Sequence, residues 1–165
     1  MLGRGNALVR RTRKGDFEIR IGPSERELLH SLIPQLRELL SAGSGGGTAQ
    51  KAVDPSLTRL FPTAYPDDGE RDAEYQSLVR DDLLERRLAT LDLVEETLDA
   101  ERVSEEQLLA WMGAVNDLRL VLGTRLDVSE DMDEIDPADP DAPTFAVYGY
   151  LGWLLEHIVA ALARA

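Results

Sequence analysis

The sequence predicts a mainly α fold, a helical bundle of four to five helices with an N-terminal β-hairpin packed on it. Three observations predict it. Leucine-rich stretches recur at helical spacing, Ser24 and Ser104 each stand three residues before a Glu or Gln in the form of a helix start, and only one short stretch near the N-terminus alternates apolar and polar residues. The 165 residues suit a single domain. Along it we expect a hairpin over 1–22, a helix over 23–42, a flexible linker over 43–53, a helical core over 54–126, an acidic loop over 127–143 and a C-terminal helix over 144–165.

Each element has its own justification. Phe17-Glu18-Ile19-Arg20-Ile21 has the alternation of a strand with one buried face, and 7–11 can pair with it across Lys14-Gly15-Asp16. Two strands alone are marginal in water, so the hairpin must lean on helices or on a second copy. Ser24-Glu25-Arg26-Glu27 has the form of a capping box, followed by Leu28, Leu29, Leu32, Ile33, Leu36, Leu39 and Leu40, with Pro34 expected to kink the helix. The Gly-Ser run over 41–47 is a spacer, since no Lys-Ser or Lys-Thr follows to make it a phosphate loop. Pro55, Pro62 and Pro66 punctuate a compact stretch whose Leu57, Leu60, Phe61 and Tyr65 should point inward. A helix over 70–99 could break near Asp81-Asp82; Ser104-Glu105-Glu106-Gln107 opens another that runs to about 126; a last one begins near Thr144.

Composition excludes several kinds of chemistry. With no cysteine, this sequence has no disulfide, thiolate metal site or thiol switch, and His30 and His157 are too few for most histidine metal sites. No metal and no cofactor is expected. The net charge is -13, but residues 1–20 hold Arg4, Arg10, Arg11, Arg13, Lys14 and Arg20 against Asp16 and Glu18, so they carry +4 and the other 145 residues carry -17. So acidic a chain repels phosphate backbones, and its basic hairpin lacks interleaved aromatics, so nucleic acid is not an expected partner. Residues 127–141 contain eight acids and no base, read as a solvated loop because the turn glycine and terminal glutamate of a calcium loop are missing. No segment reads as a bilayer span, since the longest apolar stretch, 142–158, is interrupted by Glu156 and His157 and is amphipathic. With no apolar leader either, the expected location is cytoplasmic, with no membrane partner.

Advancing each helix by 100° per residue places charges on apolar faces. Arg119 falls amid Leu108, Trp111, Met112, Val115, Leu118, Leu122 and Leu126, while Arg80, Arg87 and Glu95 fall within the stripe of Leu83, Leu84, Leu88, Leu91, Val94 and Leu98. A buried guanidinium needs carboxylates or carbonyls. Two readings compete: interior ion pairs, with Glu95 or Asp117 as partners, or a small anion pocket lined by Arg80, Arg87, Arg119 and Arg125. The first needs no ligand and is preferred. Neither histidine stands in a catalytic pattern, and no catalytic residues are assigned. Trp153 projects away from the main stripe of the last helix, which means burial on two sides, the preferred reading, or a contact surface.

Three stretches together carry a resemblance: Arg59-Leu60-Phe61-Pro62 with Ala64-Tyr65; Asn116-Asp117-Leu118-Arg119-Leu120 running into Leu122-Gly123-Thr124-Arg125-Leu126; and Tyr150-Leu151-Gly152-Trp153-Leu154 with Glu156. In this order, after a hairpin start, they resemble an actinobacterial domain-of-unknown-function family that includes the AosR oxidative stress regulators. The resemblance spans nearly the whole chain. It implies a cytoplasmic, non-enzymatic regulator and, for AosR-type members, thiol oxidation coupled to binding a stress-response sigma factor. The absence of cysteine departs from that switch. The expected function is therefore a non-enzymatic regulatory protein acting by protein–protein binding, on a sigma factor or other transcription component or in stress response, without a cysteine redox switch. The alternative is a sensor of a small anionic ligand using the buried arginines. A homodimer through the hairpin's free edge or Trp153 is also an expected association.

Overall fold

The computed structural model describes residues 7–42, 57, 60, 67–126 and 136–164; within these, the side chains of 76–78 and 80 are left aside. The expected 43–53 linker, and most of 54–66 and of the acidic run, lie outside the described residues. The chain is mainly α, with a small antiparallel sheet packed on the helices. In order come β1 (Val9–Arg11), β2 (Phe17–Ile19), α1 (Pro23–Ala42), α2 (Gly69–Thr97), β3 (Arg102–Val103), α3 (Glu105–Arg125) and α4 (Ala142–Ala163).

The hairpin forms with Val9 opposite Ile19 and Arg11 opposite Phe17. Its turn closes through Thr12 N–H to the Asp16 carbonyl at 2.8 Å and through a hydroxyl–carboxylate bond between the same two side chains. Gly15 takes φ +92°, a left-handed conformation that a side chain would resist. The sheet has a third strand that sequence patterning did not predict. β3 pairs with β2, with Phe17 opposite Val103, and the Ile19 N–H donates to the Glu101 carbonyl at 2.8 Å. Two residues are too few to display alternation, so β3 was hidden inside the turn between two helices. The hairpin thus leans on the α2–α3 connection and, through β1, on α4.

Helix α1 begins two residues earlier than the Ser24 box requires. Gly22 precedes it, Pro23 takes the first helical position, and the Arg26 N–H donates to the Gly22 carbonyl. Ser24 therefore lies inside the first turn. The helix continues through Pro34, which is exposed, and buries Leu29, Ile33, Leu36 and Leu40. Helix α2 is one element with no break at Asp81-Asp82; Asp68 caps it by accepting from the Arg71 N–H. At α3 both halves of the Ser104–Gln107 capping box are made, at 3.1 and 2.9 Å.

Helix α3 is central, packed along α2 on one side and α4 on the other. One stripe buries Leu108, Trp111, Val115 and Leu118; a second, about a third of a turn away, buries Ala110, Ala114, Asp117 and Val121. Small residues let α2 come close: a Cβ at Gly113 would sit 3.7 Å from the Thr90 methyl. Trp111 is fully buried, and its indole N–H donates to the Thr97 hydroxyl at 2.7 Å.

Helix α4 corrects one expectation. At 22 residues it is long and apolar enough, by length and composition alone, to cross a membrane. The helix continues past 158 through Val159, Ala160, Ala161 and Leu162, which extends the apolar stretch the sequence reading had closed. One side of it, with Leu151, Leu154, Ile158 and Ala161, is buried in the core.

Arg26 ties these layers together. Its guanidinium donates to the Leu98 carbonyl at the end of α2 (2.7 Å) and to the Ile19 carbonyl of β2 (3.2 Å). Arg26→Ala should lower unfolding stability by about 2 kcal/mol, as charged hydrogen bonds to carbonyls do. Ser104→Ala should cost about 1 kcal/mol through the cap alone. Urea titrations followed by circular dichroism measure both.

Candidate functional site

A part-buried ion pair in the helical core joins three segments. Arg87 of α2 donates from Nη1 to the Asp117 carboxylate of α3 at 2.5 Å and from Nη2 to the Leu60 carbonyl at 3.2 Å. Leu57 and Leu60 are themselves buried, so this guanidinium fastens the 57–60 turn to the α2–α3 pair. Asp117 is 7% exposed. Burial pushes its carboxyl above the usual carboxylate range, and the hydrogen bond and charge of Arg87 pull it back. Of the two partners the sequence allowed, Arg87 meets Asp117. Glu95 is exposed and accepts from Arg37 of α1 at 3.1 Å, while Asp92 accepts from the same guanidinium at 2.6 Å. Glu95 therefore stands outside the core, at the edge where α1 crosses α2, and not inside the stripe where a helical wheel puts it.

Arg119 meets an aromatic ring where a carboxylate or carbonyl was expected. Its guanidinium carbon lies 5.7 Å from the centre of the Tyr148 ring on α4, beside Gly152. Arg125 is exposed in the last turn of α3, where a cation complements the helix dipole, and borders a shallow hollow with Gln35, Glu38, Leu39 and Ala42 of α1. Arg87, Arg119 and Arg125 therefore face three different neighbours. The Arg80 side chain, Arg59, Phe61 and Pro62 lie outside the described residues. Of the remaining motif positions, Leu60 and Gly123 are buried and Asn116 is half-buried.

The aromatic groups of α4 form the second feature. Trp153 is 47% exposed, so the expected burial on two sides does not hold: the helix packs against α3 and β1 and leaves this face outward. His157 meets the Trp153 ring edge-on at 4.7 Å, and Tyr150 lies 6.1 Å from it, tilted. The Tyr150 hydroxyl is buried with no hydrogen-bond partner among the described residues. Burial first, then the nearby charge of Glu25, push its pKa up to about 12, with Arg26 opposing.

The remaining candidates are simple. His30 pairs with Asp99 at 2.8 Å on the rim of an open hollow of about 440 Å³ shared with Ile21, Pro23, Arg26 and Glu27. Among the described residues no group of three or more His, Asp or Glu converges to hold a metal ion. At the described end of the acidic run, Asp136 and Asp139 spend their carboxylates on the N–H groups of Ala138 and Asp141. Arg26 and Arg37, whose bonding sequence reasoning missed, carry no pattern that announces it. Their roles depend on partners 7 to 72 positions away, such as the Ile19 and Leu98 carbonyls on Arg26.

Asp117→Ala should destabilise by about 3 kcal/mol, because it leaves a part-buried guanidinium without its anion. The double change Arg87→Met with Asp117→Leu should recover most of that loss in the same denaturant titration. Tyr150→Phe removes an unsatisfied hydroxyl and should raise stability by about 1 kcal/mol. Because the folded pKa of Tyr150 lies above the unfolded value near 10, its titration leaves stability unchanged below pH ~10 and lowers it as pH rises towards about 12. Alkaline unfolding curves should flatten over that window in Tyr150→Phe.

Comparison with known proteins adds a family. The model described as Domain of unknown function (DUF2017) matches residues 6–162. The oxidative stress regulator AosR of Mycobacterium tuberculosis is 31% identical over 97% of this chain and 91% of its own length, and that of Mycobacterium bovis is equally similar. A Mycobacterium leprae protein carrying the AosR name is 32% identical over 88% of this chain and 82% of its own. No solved structure matches.

Proposed function

Because the chain belongs to the DUF2017 family, we propose that it is a regulatory protein of the oxidative stress response that performs no catalysis and acts by binding another protein, a component of the transcription machinery. The observation that carries this reading is near full-length similarity to proteins named oxidative stress regulators. The site chemistry supports it. Arg87 is engaged by Asp117 and a backbone carbonyl, and Arg119 lies over a tyrosine ring, so these guanidiniums brace helices. With no cysteine in this sequence, its signal does not pass through a thiol of its own. Abundance, a partner's redox state or a change in association would then set its activity, most naturally within the cytoplasm.

Two measurements test the reading. A strain lacking the gene should survive peroxide less well, and the cloned chain should restore it. Purified chain should retain a sigma factor or polymerase subunit equally in reducing and oxidising buffer. Unaltered peroxide survival together with no retention would overturn the proposal. The competing reading, a sensor of small anions, would gain if phosphates or carboxylic acids raised the melting temperature by several degrees and Arg119→Gln abolished the rise.

A further inference from the structure

The outward face of α4 is largely apolar, with Glu156 exposed one turn from Trp153 and a charge at each end. Trp153 and Val159 are 47% and 45% exposed, and Ala146, Gly149 and Ala160, also exposed, leave the surface around the indole low. Solvent-facing tryptophan on so apolar a helix is the signature of an anchor that a partner covers. Trp153 stands at the midpoint of Ala142–Ala163. At the start of the helix lie the acids Asp136, Asp139 and Asp141, and Asp141 makes no side-chain capping bond. At its end lies Arg164, exposed, sharing a hollow with Ala7 and Val9 of the basic hairpin. The described hairpin residues hold Arg10, Arg11, Arg13, Lys14 and Arg20 against Asp16 and Glu18.

We propose that this face binds a second copy of the chain, α4 against α4 in antiparallel register about a two-fold axis at Trp153. That arrangement is the one that makes the charges complementary. Asp141 is twelve residues before Trp153 and Arg164 eleven after it, so across the axis the acidic start of one helix lies beside the basic end of the other, twice. A parallel pairing would set acid against acid and base against base. The helices, ~33 Å long, would form the centre of the contact, and the two hairpins would widen it towards the ~1,200 Å² of a stable interface. The net charge of -13 opposes self-association, which makes the paired ends the feature that selects this geometry.

Sedimentation velocity over 1–200 µM tests the proposal. The full chain should form a dimer, and Trp153→Glu should weaken it at least about 30-fold, the effect of losing an interface hot spot. Asp141→Arg and Arg164→Glu should each weaken self-association, yet an equimolar mixture of the two should dimerise at least as well as the unaltered chain, because both end contacts are then complementary. Circular dichroism and melting temperature verify folding of each variant; Val159→Glu replaces Trp153→Glu if the latter unfolds. A chain that is monomeric at 200 µM, including one that binds lipid vesicles as a monomer, overturns the proposal. So does a dimer indifferent to the Trp153 and Val159 changes, or a charge-variant mixture no better than its components.

Discussion

Helix α3 must satisfy two neighbours at once, and the rest of the structure follows from that constraint. Its large residues, Trp111, Val115 and Leu118, form one face; the adjoining face is built from Ala110, Gly113 and Ala114, against which α2 packs. Close approach along small residues leaves little area to bury, so the contact there is supplemented by Asp117 meeting Arg87. Such a pair adds less net stability than apolar packing would, but it is directional and punishes a misplaced helix. It also reaches the Leu60 carbonyl, so the register of α2 on α3 and the seat of the 57–60 turn are decided by one guanidinium.

Polar bonds recur at several junctions between the elements. Arg26 holds β2 and the end of α2 through two carbonyls, Trp111 and Thr97 join α2 to α3, and Arg37 clasps two acids of α2 from α1. These groups bond to one another or to the backbone, and Arg26 also lines the open hollow beside His30.

Much of this was legible in the residues. The helical phases of α1 and α4, the Ser104 cap and the hairpin turn follow from local chemistry, because their signals lie within a few positions of one another. Arg87 could be flagged as a charge among leucines, and Asp117 was one of two acids within reach. What could not be read depends on distant neighbours or on residues that give no signal. Alanine and glycine hide the second stripe of α3, since counting large apolar side chains overlooks them. The strand Arg102–Val103 is too short for a period. Arg119, expected inside, is half-buried, and its facing ring was not legible because Tyr148 reaches it only once α4 is folded back. Trp153 shows the reverse failure: an apolar side chain suggests an interior, and only the packed helix reveals that no interior is available on that side.

The pairing of β2 with β3 has a consequence for how the protein is made. The hairpin leaves the ribosome before the helices, but β2 finds its second neighbour only after about eighty further residues have been synthesised. Until then Phe17 and Ile19, almost completely enclosed in the finished protein, lack the strand that completes their sheet. The hairpin is therefore secured only after α1 and α2 have been made, and a nascent protein halted before residue 103 would present a sticky, positively charged hairpin to whatever chaperone stands nearby.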